Sequence, residues 1–186
     1  MKYTKEWITE RYNAGERRNI IAFWGHTPHP GKMTKACLSQ WYDCWFEADG
    51  VRYHTTEQYM MAQKARLMGD VSTCAKIMAA DNPRDYKALG REVQHFDPEV
   101  WDRAKYDIVL RGNLAKFSQN PELFAFLDST GDSILVEGSP YDGIWGVKLG
   151  TDDPQIDNPN AWRGENLLGF ALMETRDILR EQAGSL

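Results

Sequence analysis

Asp97-Pro-Glu-Val-Trp-Asp-Arg-Ala-Lys-Tyr-Asp-Ile-Val-Leu-Arg-Gly-Asn-Leu-Ala-Lys-Phe117 is the stretch that decides the fold. Asp97 can cap a helix, and Pro98 suits a first helical position, where the missing N–H is harmless. The spacing predicts a long helix to about Phe117. Asn120-Pro121 repeats the device and opens another helix, expected to end at Gly131. Toward the N-terminus, Pro83 starts a helix predicted to stop at Gly90, with the glycine in a terminating position. A shorter one runs from Asp70 and ends before Asn82-Pro83. Thr55-Thr-Glu-Gln58 reads as a capping box in which Thr55 caps and Gln58 reaches back. Its helix continues to about Met68, with Met61, Ala65 and Met68 on one stripe. Toward the C-terminus, Gly164 to about Arg180 is an amphipathic helix with Leu168, Ala171, Leu172, Thr175 and Leu179 inward.

Strand signals are fewer. Asn19-Ile-Ile-Ala-Phe-Trp24 reads as a buried strand bounded by Gly25. Cys44-Trp-Phe-Glu47 and Val51-Arg-Tyr53 flank Asp49-Gly50, the strongest hairpin signal in the chain. Ser133–Glu137 is a short strand. Strands come early and helices late, without βα alternation, so the expected class is α+β: a mainly helical single domain with a small antiparallel sheet. Residues 1–18 read as an N-terminal arm or helix, and 19–186 as the domain.

Composition narrows the function classes. A formal net charge of -5 disfavours broad binding to nucleic-acid phosphates, which wants a basic surface, while leaving room for a local basic pocket. No apolar run approaches a membrane span and the N-terminus lacks a signal-peptide core, so the expected compartment is the cytoplasm and no membrane partner is expected. Cys37, Cys44 and Cys74 are odd in number and scattered, which argues against a disulfide framework. His26, His29, Cys37 and Cys44 do not have the spacing of a common zinc site; no metal and no cofactor are expected. No Gly-x-Gly-x-x-Gly or P-loop is present, which disfavours a Rossmann or nucleotide-triphosphatase site.

The residues that suit chemistry are carboxylates, rings and cations. Glu57 falls in the first turn of its helix, where the dipole favours the ionised form. It shares a face with Met61 and Lys64; a first-turn glutamate is also an ordinary helix-start device. Asp142 is the second carboxylate, in the turn of Glu137-Gly-Ser-Pro-Tyr-Asp-Gly-Ile-Trp-Gly146. Two carboxylates in different environments are the minimum equipment for cleaving a glycosidic bond. Trp145 lies in that loop, where a flat ring offers a stacking surface. Trp101 fits either a core position or a ring that stacks on a base or sugar. Trp162-Arg-Gly-Glu-Asn166 leads into the last helix, whose open N–H groups, with Arg163, suit a phosphate; Glu165 works against it. Lys64, Arg91 and Lys116 are further phosphate partners by charge, although such residues are usually solvated surface.

These pieces, in this order, resemble the NADAR superfamily, the YbiA-like N-glycosidases. The resemblance runs from about Ile20 to Leu179. It rests on Leu38-Ser39, Thr56-Glu-Gln-Tyr59 with Ala62-Gln-Lys64, Gly90-Arg91, Trp101, Lys116-Phe117 and Thr130-Gly131. It continues through Glu137-Gly-Ser-Pro-Tyr-Asp142, Trp145-Gly146, Trp162-Arg-Gly-Glu-Asn166 and Leu168-Gly169. The resemblance implies hydrolysis of the N-glycosidic bond between a ribose-phosphate or ADP-ribose moiety and a nitrogen base. The favoured substrate is ADP-ribosylated guanine, free or in nucleic acid; the alternatives are ribosylamino-pyrimidine phosphate intermediates of riboflavin biosynthesis, or a non-catalytic ADP-ribose sensor. It implies Glu57, Trp101 and Asp142 as catalytic residues. Lys64, Arg91, Lys116, Trp145, Gly146, Arg163 and Asn166 are the expected substrate-binding set. Two departures bear on ligand fit: Leu38-Ser-Gln-Trp41 stands where the family shows Leu-Ser-Asn-Phe, and Trp145-Gly-Val-Lys148 where many members continue Trp-Gly-Ile-Gly.

Overall fold

The computed structural model describes residues 1–184. In chain order the elements are α1 (Lys5–Asn13), β1 (Ile20–Phe23), a 3-10 turn (Lys35–Leu38), β2 (Phe46–Ala48), β3 (Val51–Tyr53), α2 (Thr56–Leu67), α3 (Val71–Ala79) and α4 (Pro83–Arg91). They continue with α5 (Pro98–Gln119), α6 (Pro121–Ser129), β4 (Ile134–Glu137), a second 3-10 turn (Pro159–Ala161) and α7 (Leu167–Gly184). The class is α+β and mainly helical, as the pattern predicts. Strands β2 and β3 form the antiparallel pair; the pairing of β1 with β4 is parallel, which the sequence does not announce. The chain forms two compact units, one of Gln40–Asn120 and one of Met1–Ser39 with the chain from Pro121 onward.

In the Gln40–Asn120 unit, Asp49 and Gly50 both take positive φ (54° and 73°), so the turn between β2 and β3 has the twist that a tight hairpin needs. Phe46 pairs with Tyr53 across the ladder, and the Tyr53 ring meets Tyr59 of α2 edge-on at 5.1 Å. Helix α2 is buried without a break from Thr56 to Ala62. It reads as weakly amphipathic because neighbours cover it all round. Two glycines permit this: a Cβ on Gly112 of α5 would sit 2.7 Å from the Tyr59 ring, and one on Gly90 of α4 would collide with Met61. Helix α4 therefore runs one residue past Gly90 to Arg91, and Gly90 serves close packing rather than termination. Asp70 caps α3 by accepting the Thr73 N–H and also takes the Gln94 N–H; these bonds hold its carboxyl down at about 2.

In the other unit, Ile20–Phe23 and Ile134–Glu137 lie in register, and α7 covers β4. Leu168, Ala171, Leu172, Thr175 and Leu179 are all buried, as the periodicity predicts. Arg176 is buried too; its Nη1 donates to Thr130 Oγ1 (2.7 Å) and to the Ser133 carbonyl (3.1 Å), and burial pushes the guanidinium down from its ordinary range. Helix α1 is tied into this unit: Lys5 donates to the Trp162 carbonyl, and Asn13 and Asn160 exchange side-chain bonds.

Helix α7 approaches β4 so closely that a Cβ on Gly169 would collide with the Leu135 carbonyl and crowd the Asn166 amide. The obstacle is backbone, so strand or helix must shift. Gly169→Ala is expected to cost about 3 kcal/mol, at the upper end of ordinary overpacking. On a chain of this size that lowers the melting temperature by roughly 6–12 °C. A melting curve superimposable on that of the unsubstituted protein would refute the close approach.

Candidate active site

Helix α2 begins under several constraints. Thr55 Oγ1 accepts the Gln58 N–H (3.1 Å), as a cap should. The Gln58 side chain accepts from His54 N (2.8 Å) rather than closing back onto Thr55, so the capping box is shifted by one residue. The Gln40 carbonyl takes both the Glu57 N–H (3.0 Å) and the Thr56 hydroxyl (3.2 Å). The Gln40 side chain in turn accepts from Asn113 of α5 (3.2 Å). The departure at position 40 thus lies at the point that anchors the start of α2. Glu57 is held there with only 4 % of its surface exposed.

Seven residues on, the Lys64 ammonium donates to the Gly90 carbonyl (2.6 Å) and lies over the rings of Phe96 (4.4 Å to centroid) and Trp101 (5.7 Å). Partial burial pushes Lys64 below its ordinary range; the Arg91 charge adds to this and the Glu57 charge opposes it. Glu57, Arg91 and Trp101 therefore all lie within reach of the Lys64 ammonium. Phe96 belongs with them and was not predicted. It precedes the Asp97 cap, and Trp101 lies four residues into the helix, the two positions that a hydrophobic staple joins. Lys116 is fully buried further along α5, with its ammonium 5.6 Å from the Tyr42 ring centroid.

The second group lies in the other unit, on the loop after β4. Ser139 Oγ accepts the Asp142 N–H (3.2 Å), and Asp142 Oδ1 accepts from Ile144 N (2.9 Å) and Trp145 N (2.8 Å). This Asx turn fixes the carboxylate through one of its oxygens. Gly146 is required by space, since a Cβ would lie 2.8 Å from the Glu137 carbonyl; one on Gly164 would collide with the Gly146 carbonyl.

The start of α7 corrects the sequence reading. The helix begins at Leu167, three residues later than predicted, and the N–H groups ahead of it are already satisfied. Glu165 N donates to the Gly143 carbonyl, Asn166 N to Gly146, Leu167 N to Ile144 and Leu168 N to Trp145. Backbone donors expected to meet a phosphate instead hold the Asp142 loop in place. Asn166 is wholly buried at φ 57°, and its amide bonds β4, donating to the Leu135 carbonyl (2.9 Å) and accepting the Glu137 N–H (3.0 Å). Gly146 and Asn166 are thus positioning residues. Arg163 is exposed and Trp145 half-buried.

The NADAR domain family matches residues 22–180. The chain is a NADAR-domain protein. It is 44% identical over 146 residues to the N-glycosidase R617 of Acanthamoeba polyphaga mimivirus, covering 75% of this chain and 85% of that protein. It is 31% identical over 146 residues to a riboflavin biosynthesis protein of Vibrio vulnificus (strain YJ016), covering 78% of this chain but 36% of that longer protein. The solution structure of Escherichia coli YbiA superposes with a TM-score of 0.73 at 26% identity, covering 90% of this chain and 89% of that one. This NADAR-domain protein is an N-glycosidase, a hydrolase of N-glycosyl bonds.

The family's second motif departure now has a backbone meaning. Lys148, the residue at that departure, has φ 56°, in the left-handed region that glycine enters without strain. The Lys148 stem lies against Gly143, where a Cβ would come within 2.9 Å of Cε. Among the described residues no cluster of three or more His, Cys, Asp or Glu is placed to hold a metal ion, and no helix is long and apolar enough to cross a membrane.

Proposed function

We propose that this N-glycosidase removes a nitrogen base from an ADP-ribosyl or ribosyl-phosphate conjugate, with ADP-ribosylated guanine as the favoured substrate. The observation that carries the reading is the group around the start of α2. It combines a carboxylate buried at a helix N-terminus, two cations (Lys64 and Arg91), and the ring of Trp101 over which Lys64 lies. A paired cation suits a diphosphate, and a ring suits a flat ligand.

In the proposed reaction the bond from the anomeric carbon to the base nitrogen breaks as the sugar takes on oxocarbenium character. Water then adds to that carbon. Glu57 stabilises the positive sugar and takes a proton from the adding water, and the departing base nitrogen takes up one proton from solvent; Glu57 returns its proton to solvent, so one water is consumed for each bond broken. Asp142, held by its Asx turn, accepts a hydrogen bond from a ribose hydroxyl. Trp101 stacks on the ligand. Lys64 and Arg91 counter phosphate charge, Lys116, which is fully buried, contributes only through its field, and Arg163 and Trp145 are the further ligand contacts assigned.

The name of the Vibrio vulnificus relative supports a second reading, in which the substrate is a ribosylamino-pyrimidine phosphate of riboflavin biosynthesis. Incubating the protein with each conjugate and separating the released base by chromatography decides between them. Faster guanine release from ADP-ribosylated guanine is the expected result. Release from the ribosylamino-pyrimidine alone would replace the favoured substrate, and no base from either would point to a different N-glycosyl substrate. If the guanine lies in nucleic acid, turnover falls as salt rises.

A further inference from the structure

Because β1 and β4 are parallel, both strands end at the same edge, and the Phe23 carbonyl accepts the Gly138 N–H there (2.8 Å). The residue leaving β1 is Trp24; the segment leaving β4 carries Tyr141 and Asp142. Trp24 is 50% exposed and Tyr141 83%, yet their rings stand 6.4 Å apart between centroids, tilted by 54°. Ile144, 43% exposed, extends the apolar surface on the same loop. A Cβ on Gly25 would meet nothing within 4 Å, so the space beside the residue that follows Trp24 is open. Ligands bind at the carboxyl edge of parallel strands in open α/β sheets, and this two-stranded pair presents the same edge.

We infer that Trp24 and Tyr141 form a stacking platform for the heteroaromatic base of the substrate, at the edge that also carries Asp142. The inference deepens the proposed function and rests on Asp142 belonging to the site. Two rings and one isoleucine make too small a patch for a stable protein interface, which needs on the order of 800 Å² on each partner. At that tilt one ring can stack face-on against a flat base while the other meets its edge. The loop is preset for such a contact, because Ser139 Oγ accepts the Tyr141 N–H (3.4 Å) as well as that of Asp142. The platform therefore keeps its place relative to the carboxylate. Neither ring has a role in the proposed chemistry, so the platform acts on which base is accepted.

Equilibrium binding of guanosine 5′-monophosphate and of ribose 5-phosphate tests this, since the two probes differ only in the base. Trp24→Ala and Tyr141→Ala are each expected to weaken the nucleotide by roughly tenfold, the scale of losing one stacked base. Trp24→Phe and Tyr141→Phe should stay within about twofold, because a ring remains. Ribose 5-phosphate should bind all five proteins alike. Unchanged nucleotide binding in the alanine variants overturns the platform, as does an equal loss for both probes, which marks general loosening of the loop. Chromatographic recovery of the intact nucleotide after each titration shows that the assay reads binding and not turnover. A failure of the glycosidase substrate assay would thus strike the proposed function, and a failure here the platform.

Discussion

Glu57→Gln is expected to lower kcat by about a thousandfold while leaving the fold intact, within the 10²–10⁴ range of positioned acid–base groups. Glutamine keeps the shape of the side chain and removes its charge. The α2 start does not depend on that charge, because Thr55 caps Gln58, and the Gln40 carbonyl holds the Glu57 N–H and the Thr56 hydroxyl. Loss of a favourable dipole interaction costs about 0.3–1 kcal/mol, so the melting temperature should drop by only a few degrees. A second readout follows from the charge balance at Lys64. Glu57 favours the protonated ammonium there, against burial and Arg91. Without it, Lys64 loses its proton at a still lower pH, and amine-directed labelling at that lysine begins at lower pH than in the unsubstituted protein. Wild-type kcat in the variant would remove Glu57 from the chemistry. An unshifted labelling profile would show that the two groups are not coupled.

The parts of this picture that were readable in advance are those set by local chemistry. Thr55 and Asp97 each cap the helix that their spacing predicts, Pro83 opens the helix expected there, and Asp49-Gly50 turns the hairpin. Glu57 and Lys64 share a face because seven residues make nearly two turns. The parallel pairing of β1 with β4 depends on contacts between segments distant in sequence, and four apolar residues do not reveal their partner. The late start of α7 has a related cause: carbonyls of residues 143–147 take the N–H groups that a helix beginning at Gly164 would have left open. Gly90 misled for a physical reason as well. A glycine near a helix end reads as a stop, yet this one is there because Met61 fills the space of its missing Cβ. Phe96 was within reach, since the residue before a cap and the fourth residue of a helix are a known hydrophobic pair. Trp24 and Tyr141 were not, because only the parallel pairing brings them together.

Asp142→Asn and Asp142→Ala are expected to separate charge from loop geometry. Asparagine keeps an Oδ1 that accepts from Ile144 N and Trp145 N, so the Asx turn survives and only the anionic charge is lost. Alanine loses both bonds, leaving two loop N–H groups without that acceptor. At roughly 1 kcal/mol net for a hydrogen bond, more when the acceptor is charged, Asp142→Ala should cost about 2–3 kcal/mol of stability and Asp142→Asn well under 1. For turnover the two should be alike. A hydrogen bond to a sugar hydroxyl that tightens at the transition state supplies several kcal/mol, so each variant should lose on the order of 10²–10³ in kcat/KM. Turnover retained by Asp142→Asn and lost only by Asp142→Ala would assign the residue to shaping the loop. The charge at position 142 would then have no part in the reaction, and the carboxylate would join Gly146 and Asn166 among the groups that position the loop.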